Sequence, residues 1–473
     1  MRGPVGPAAA AVAGTPEVTV RHPGTGPAGG RGPRSPRVPA TAGYGDRVPA
    51  PGRPPASSDP LTTASVPPVR SVVVAGAGLA GARTVLELRA QGFTGHLTVL
   101  GAEGVAPYDR PPLSKHLLDR PAPAWLADEL GTDALALADE VRLADPATGL
   151  EVDDAGVRVR TAQGVVAADA VVVATGAGAV RPPAWAAART LHTAADAARL
   201  RAELAPGRRL VVVGAGWVGA EVATGAAAAG VDVVVVEARE APLGTALGSR
   251  VGALTAPWYA RAGVRLSTGV PVAAVESDAV TLADGTVLPA DVVLAAVGAR
   301  PATGWLAGAL PLDPDGSVRV DERHAPVDGP WRVRVVGDTA RRRSARHGWV
   351  SGGHWDAALR GPAVAVAGLL GGEPAEPDLA PYVFSTQLGH ELALYGVPGA
   401  GDDVLLRGDP AGDDGWTALW FRPGSGTLTA TFTVDRPRDV GGARRLFAGA
   451  ALPELDRGRA VDPAVPLPRT VAG

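Results

Sequence analysis

The chain contains no cysteine in its 473 residues. This absence excludes disulfide bonds, iron-sulfur clusters held by the chain itself, cysteine nucleophiles and dithiol redox centres. Any redox chemistry that the protein performs must therefore use a bound cofactor.

Lysine is almost absent as well, because Lys115 is the only one and every other basic side chain of the Lys+Arg class is arginine. Isoleucine and asparagine do not occur, and the only methionine is Met1, as expected for a strongly GC-biased genome. Arginine can supply a surface charge, but it cannot replace a compact ammonium donor in a tight space. We therefore interpret Lys115 as a functional residue, the alternative being that the one lysine fell there by chance.

Long apolar runs are also missing. No stretch reaches the roughly 18 apolar residues that a transmembrane helix needs, and the short run from Ala8 to Ala13 is too weak for a signal peptide. The net charge of -3 gives no field that would attract nucleic acid or an anionic membrane. These features predict a cytoplasmic protein with neither nucleic acid nor membrane as a partner.

The first 68 residues are rich in Pro, Gly, Ala and Arg and show no apolar periodicity. Such a composition predicts a disordered tail, which could also be an extension upstream of the true start. The whole chain is 46% hydrophobic, and its 473 residues are enough for two or three domains.

Two strand–turn–helix segments repeat the pattern Gly-x-Gly-x-x-Gly. The first dinucleotide unit has a strand at Val72–Ala75 and a second at Leu97–Leu100, and the second unit has strands at Leu210–Val213 and Val233–Val236. The glycines of the turns are Gly76, Gly78 and Gly81 in the first unit and Gly214, Gly216 and Gly219 in the second. Such turns let a pyrophosphate approach a helix N-terminus, so the repeat predicts two bound dinucleotides.

The two units differ in the acid after their second strand. Glu237 follows Gly219 by eighteen residues, where a carboxylate accepts both ribose hydroxyls of NADH and repels the extra phosphate of NADPH. Arg239 weakens that preference, so NADPH stays the alternative donor. The corresponding position of the first unit is near Gly101, and its nearest acid is Glu103.

Further strands end in glycine turns at Ala174-Thr175-Gly176 and at Val297-Gly298, and a third apolar stretch, Trp331–Val336, precedes Gly337-Asp338. A helix is predicted from His354 to about Leu370. Beyond it, strands at Trp416–Phe421 and Leu428–Val434 and a helix near Ala443–Ala451 predict a small α+β domain.

The run from Tyr108 to Lys115, Tyr-Asp-Arg-Pro-Pro-Leu-Ser-Lys, resembles the signature of the FAD-dependent NAD(P)H:ferredoxin and rubredoxin reductases. This putidaredoxin-reductase-like family belongs to the pyridine nucleotide-disulfide oxidoreductase superfamily and lacks the redox cysteines. The glycine turns, Val297 to Pro301, Gly337-Asp338 and His354-Trp355 follow in the family's order. The resemblance covers residues 70 to 470.

The resemblance implies a glutathione-reductase-type α/β fold, with two Rossmann-like domains, the NAD domain inserted in the FAD domain, and a small α+β C-terminal domain. The predicted parts are a tail (1-68), an FAD domain in two pieces (69-190 and 316-373), an NAD domain (191-315) and a C-terminal interface domain (374-473).

The resemblance also implies roles for individual residues. FAD would be held by the first-unit glycines, Glu103, Arg110, Ala174, Thr175, Gly176, Gly337, Asp338 and Trp355, and NADH by the second-unit glycines, Glu237 and Gly298. Lys115 would lie beside flavin N5 and Glu221 near the nicotinamide, both as catalytic positioners rather than acid–base groups.

The implied function is an oxidoreductase that takes hydride from NADH and passes electrons singly to a ferredoxin-type iron-sulfur protein of a monooxygenase or dioxygenase system. The partner is expected to dock near Arg341, Arg342, Arg343 and Arg346. No metal is implied, and the enzyme is expected to be a monomer or homodimer.

One segment departs from the family, which usually carries Phe-Trp-Ser-Asp-Gln beside the flavin where this chain has Val383-Phe384-Ser385-Thr386-Gln387. Two alternatives therefore stay open: an NADH oxidase or quinone reductase, and a redox-gated interaction flavoprotein with slow turnover.

Overall fold

A computed structural model describes residues 68–374 and 378–472. The predicted disordered tail lies outside the described residues, apart from its last position. Within the described part of the chain, no helix has the length and apolar character needed to cross a membrane.

The N-terminal domain is built on a parallel sheet of five strands, in the order Val333–Val335, Ala170–Val173, Ser71–Ala75, His96–Leu100 and Glu140–Arg142. Its strands are nearly continuous runs of apolar residues, as expected for a sheet covered on both faces. Val72 and Val74 pack towards the helices Leu79–Ala90 and Trp355–Leu369. Val73 and Ala75 pack towards an antiparallel meander, Ala147–Val152, Val157–Thr161 and Gly164–Ala168.

The inserted domain repeats this design with a four-stranded parallel sheet, in the order Arg265–Thr268, Asp232–Glu237, Arg209–Val213 and Val292–Ala295. Its nucleotide helix is Trp217–Ala228, and its meander consists of Val272–Val275, Ala279–Leu282 and Val287–Pro289. The domain is entered and left through a two-stranded antiparallel pair, Ala177–Ala179 with Ala299–Pro301.

The chain returns to the first sheet at Val333–Val335, which pairs with Ala170–Val173. One nucleotide-binding domain is thus inserted into the other, which confirms the predicted fold class. The numerical domain boundaries given above stay predictions.

The C-terminal domain is a five-stranded antiparallel sheet, in the order Tyr382–Gln387, His390–Gly396, Leu428–Val434, Trp416–Phe421 and Asp403–Arg407. The helices Pro437–Leu446 and Arg457–Ala460 accompany it. The prediction of a helix near Ala443–Ala451 was wrong in its position. The helix begins six residues earlier because Pro437 stands in its first turn, where the missing N–H of proline costs nothing.

Shorter elements complete the described chain. The remaining strands are Tyr108–Asp109, Ala124–Trp125, Val318–Val320, Ala340–Ser344 and Gly348–Ser351. The remaining α-helices are Pro112–Lys115, Leu126–Leu130, Ala194–Glu203, Gly244–Gly252 and Ala256–Arg261. Single 3₁₀ turns occupy Ala134–Leu137, Pro183–Trp185, Ala253–Thr255, Gly304–Leu306, Gly337–Thr339 and Leu467–Thr470.

Candidate active site

The outer glycines of both turns are required by close backbone packing. Gly76 has φ +118°, and a Cβ there would lie 2.1 Å from the carbonyl oxygen of Ala174. Gly214 has φ +109°, and a Cβ would lie 2.4 Å from the carbonyl oxygen of Ala296. The third glycines, Gly81 and Gly219, pack against the carbonyl oxygens of Gly76 and Gly214 in the same way.

The middle glycines face open space instead. A Cβ on Gly78 would meet only Arg110 Nη2, at 4.0 Å, and a Cβ on Gly216 would meet nothing within 4 Å. The helices Leu79–Ala90 and Trp217–Ala228 begin here without a side-chain cap, so their first amides are available to an acceptor. Both turns thus have the room and the donors that a dinucleotide pyrophosphate needs.

In the second unit, Glu237 lies at the end of its strand and is held by the backbone. Its Oε2 accepts a hydrogen bond from the amide of Ala215 (2.9 Å), and its Oε1 accepts one from the amide of Arg239 (2.9 Å). The carboxylate is therefore fixed against the glycine turn, where its remaining lone pairs can accept ribose hydroxyls.

In the first unit, Glu103 is held by side chains of the Tyr108–Lys115 motif. Tyr108 Oη donates to Oε2 (2.5 Å), and Arg110 Nη2 pairs with Oε1 (2.7 Å). Arg110 also donates to the carbonyl oxygen of His192 (2.8 Å). Burial, opposed in part by the positive charge of Arg110, raises the pKa of Tyr108 to about 12, so Tyr108 remains a donor at neutral pH.

Lys115 and Glu221 form a buried ion pair between the two nucleotide-binding domains. Lys115 Nζ lies 2.5 Å from Glu221 Oε1, and only 14% and 5% of the two side chains are exposed. Lys115 comes from the short helix Pro112–Lys115, and Glu221 comes from the first turns of the second nucleotide helix. The structure therefore brings together the two residues that the sequence predicts as catalytic positioners.

Aromatic side chains border this ion pair. Lys115 Nζ lies 5.1 Å from the ring centre of Phe384, within cation–π range. The Phe384 ring is 39% exposed and meets the ring of Trp355 edge to face, with centroids 6.3 Å apart. Trp355 Nε1 donates to Asp109 Oδ1 (2.7 Å), so the helix Trp355–Leu369 is tied to the Tyr108–Lys115 motif.

The other predicted cofactor residues lie at the ends of the parallel strands. Asp338 Oδ1 accepts from the amide of Gly353 (3.1 Å), and burial raises the pKa of the Asp338 carboxyl. Thr175 Oγ1 donates to the carbonyl oxygen of Ala302 (2.8 Å). Gly176 and Gly298 have φ +68° and +112° and open space at the Cβ position.

The arginine cluster does not form one exposed surface. Arg346 is buried and donates to the carbonyl oxygens of Phe447 and Gly449 (both 2.7 Å). The Arg342 side chain is 11% exposed and pairs with Asp378 at 3.0 Å. The docking prediction was therefore wrong for these two arginines, because strand alternation turns Arg342 inwards and Arg346 is bound by backbone carbonyl oxygens just after the helix Pro437–Leu446.

The neighbouring arginines remain accessible. Arg343 is 66% exposed and lies 3.6 Å from Glu322, and Arg341 is 32% exposed and lies 3.1 Å from Asp313. A part of the predicted docking surface is therefore available at these two positions.

Sequence reasoning missed three residues that complete the Glu221 site. Ser114 Oγ donates to Glu221 Oε2 and Ser385 Oγ donates to Oε1, both at 2.5 Å. Gln387 Nε2 donates in turn to Ser385 Oγ (3.1 Å). The available signal was that Ser385 and Gln387 keep the residue types of the family segment while their neighbours differ.

Comparison with known protein families decides the assignment. The family model for the pyridine nucleotide-disulphide oxidoreductases matches residues 70–359. The chain belongs to this family. A second model, the reductase C-terminal domain, matches residues 382–471.

The chain resembles curated members of this family along most of its length. It is 34% identical over 410 residues to the ferredoxin–NAD(+) reductase component of the anthranilate 1,2-dioxygenase system of Burkholderia cepacia, covering 84% of this chain and 98% of that protein. It is 31% identical to the putidaredoxin reductase of Pseudomonas putida, covering 80% of this chain and 91% of that protein.

Solved structures agree with this assignment. The putidaredoxin reductase–putidaredoxin covalent complex matches with a TM-score of 0.78 and 27% identity, covering 85% of this chain and 98% of that one. The protein is thus an FAD-dependent oxidoreductase that uses a nicotinamide nucleotide. Since it contains no cysteine, it lacks the redox disulfide after which the family is named.

The residues present fit FAD in the first unit. Its turn is open only at Gly78, the Arg110 guanidinium lies beside that opening, and Asp338 retains acceptor capacity beyond the Gly353 amide. These groups offer donors to a pyrophosphate and an acceptor to a ribitol hydroxyl.

Proposed function

We propose that this protein is the reductase component of a short electron-transfer chain, taking hydride from NADH and delivering single electrons to a ferredoxin-type iron-sulfur protein. The observation that carries the proposal is the Lys115–Glu221 pair, at which residues from both dinucleotide-binding domains meet. A donor nucleotide in the second unit and a flavin in the first would meet at this point.

FAD, when bound, can accept two electrons together and release them one at a time. The protein holds it through the glycines of the first unit, Glu103, Arg110, Ala174, Thr175, Gly176, Gly337, Asp338 and Trp355. NADH is held by the glycines of the second unit, Glu237 and Gly298. The Glu237 carboxylate, fixed by two backbone amides, favours NADH because a 2'-phosphate would be repelled there.

Lys115 and Glu221 act as positioners in this proposal. The ammonium group of Lys115 offers a positive charge and a directed donor at the place where electron density arrives. Glu221 pairs with this ammonium group in a site largely shielded from water, and the ion pair keeps the Lys115 side chain extended towards the site. Neither residue needs to transfer a proton.

Similarity supports a ferredoxin as the acceptor, because the two relatives named above are reductases of ferredoxin-type partners. The exposed arginines Arg341 and Arg343 offer a positive surface to an acidic partner. A cytoplasmic location is part of the proposal, because NADH is regenerated there.

Comparison of electron acceptors tests the proposal. The NADH-reduced protein is mixed with a dioxygenase-type [2Fe–2S] ferredoxin, a quinone or oxygen, and flavin reoxidation is followed by absorbance. We expect the ferredoxin to reoxidise the flavin fastest, with single-electron stoichiometry. Faster reoxidation by oxygen or quinone would favour the oxidase or quinone-reductase alternative, and uniformly slow turnover would favour the redox-gated interaction protein.

A further inference from the structure

The C-terminal domain contributes polar groups to the Glu221 site. The strand Tyr382–Gln387 alternates, so that Ser385 and Gln387 are each 1% exposed while Phe384 and Thr386 face outwards. Ser385 lies 164 residues from Glu221 in the sequence, and its hydroxyl is nevertheless 2.5 Å from Glu221 Oε1.

The direction of these hydrogen bonds is fixed by chemistry. A serine hydroxyl has one hydrogen and two acceptor lone pairs, whereas the side-chain amide of glutamine has two hydrogens. Gln387 donates to Ser385, so the single Ser385 hydrogen is directed at Glu221. With Ser114 on the other oxygen and Lys115 on the same one, the Glu221 carboxylate is held from three sides.

We infer that Ser385 and Gln387 are positioning residues for hydride transfer, acting through Glu221 on Lys115. The inference rests on the proposed function and assigns the C-terminal domain a part in the NADH half of the reaction as well as in partner contact. Without the Ser385 hydroxyl, the donor that remains on Glu221 Oε1 among the described residues is the flexible Lys115 side chain. The Lys115–Glu221 ion pair can then leave the orientation in which the ammonium group meets the incoming electron density.

A second link supports this role for the strand. The amide of Leu388, which follows the strand, donates to Thr224 Oγ1 (2.8 Å), one helical turn beyond Glu221. The end of the strand is therefore anchored to the second nucleotide helix independently of Ser385. Removal of the Ser385 hydroxyl should accordingly leave the strand in place and change only the polar contact.

The test compares Ser385→Ala with Thr386→Val, which removes a neighbouring hydroxyl that faces outwards and donates to Glu391. Stopped-flow reduction of the flavin by NADH gives the limiting rate and the NADH dissociation constant separately. For Ser385→Ala we expect a limiting rate about tenfold lower, since a hydrogen bond to a charged group is lost, and an unchanged dissociation constant. Thr386→Val should match the wild type.

Two further variants separate positioning from structure. Ser385→Thr retains the hydroxyl and should restore most of the rate. Gln387→Glu replaces the donor with a second carboxylate that competes for the single Ser385 hydrogen, and it should reduce the rate as Ser385→Ala does. Unfolding temperature and flavin fluorescence, measured for each variant, should stay at the wild-type values for Ser385→Ala.

The outcomes are distinguishable. A wild-type protein that NADH does not reduce would contradict the proposed function itself. The positioning role alone would be overturned if NADH reduced the wild type normally and Ser385→Ala equally fast. It would also be overturned if Ser385→Ala lost only NADH affinity or only unfolding temperature.

Discussion

The two dinucleotide units share a turn but differ in what holds their acidic residue. In the first unit, Glu103 is clamped by Tyr108 and Arg110, and Arg110 is fixed in turn by the His192 carbonyl. In the second unit, the hydrogen-bond donors to Glu237 among the described residues are two backbone amides. The first arrangement suits a resident cofactor, which is enclosed by side chains, and the second suits a substrate that must enter and leave.

The middle glycines provide the strongest test of this comparison. A methyl group at Gly78 or Gly216 disturbs no protein contact closer than 4.0 Å, but it would enter the space that a pyrophosphate needs. Overpacking costs about 1–3 kcal/mol, which corresponds to about a fivefold to 150-fold loss of affinity. Gly78→Ala should lose FAD, whereas Gly216→Ala should stay yellow and lose NADH affinity.

Flavin content by absorbance and NADH affinity by titration measure the two effects. Gly214→Ala is a control for folding, since a Cβ there would overlap the Ala296 carbonyl. If Gly78→Ala retained full FAD content, or Gly216→Ala lost it, the assignment of the two turns would be wrong.

Replacement of the acidic residue of each unit by glutamine should have a smaller effect than the glycine substitutions, and a different one in each unit. Glu237→Gln removes the charge that excludes a 2'-phosphate, and the ratio of kcat/KM for NADH over NADPH should fall about tenfold, as expected for hydrogen bonds to a charged group. Glu103→Gln should leave that ratio unchanged and weaken FAD retention. Steady-state kinetics with both nucleotides check the prediction, and an equal effect of the two substitutions would contradict it.

Acidification should affect the two units unequally and produces the smallest effect. Burial lowers the pKa of His324, His347 and His354 to about 4, from 6.5. Because the unfolded chain then binds protons more readily, their contribution to stability is complete above pH 6.5 and is lost as the pH falls towards 4.

All three histidines lie in the part of the chain that follows the inserted domain. The predicted NAD domain (191-315) has a single histidine in its sequence, His192 at its edge, whose pKa burial also lowers. The temperature of flavin release should therefore drop by about 5 °C from pH 7 to pH 5, measured by flavin fluorescence. An unchanged release temperature would show that these histidines are not buried as neutral groups.

Local patterns were sufficient to predict much of the fold. Glycine turns after apolar strands predicted both parallel sheets, and the strands Trp416–Phe421 and Leu428–Val434 were predicted with their observed bounds. The helix predicted near Ala443–Ala451 was placed too late because the prediction did not use the start signal of Pro437.

The candidate site was predictable only in part, since its components are distant in sequence. The family motif indicated Lys115 and Glu221, and the structure places them in contact. Ser385 could not be assigned to the site because its partner lies 164 residues away. The pairing of Arg342 with Asp378 is a tertiary contact that no local charge pattern reveals.

Anaerobic stopped-flow reduction of the purified protein by NADH and by NADPH, followed at the flavin absorbance band, measures directly the hydride transfer proposed at the Lys115–Glu221 pair. We expect a yellow protein that NADH bleaches rapidly and NADPH slowly, with Lys115→Ala slowing the bleaching more than it weakens NADH binding. A protein purified without a bound flavin, or one that NADPH bleaches faster than NADH, would contradict the account.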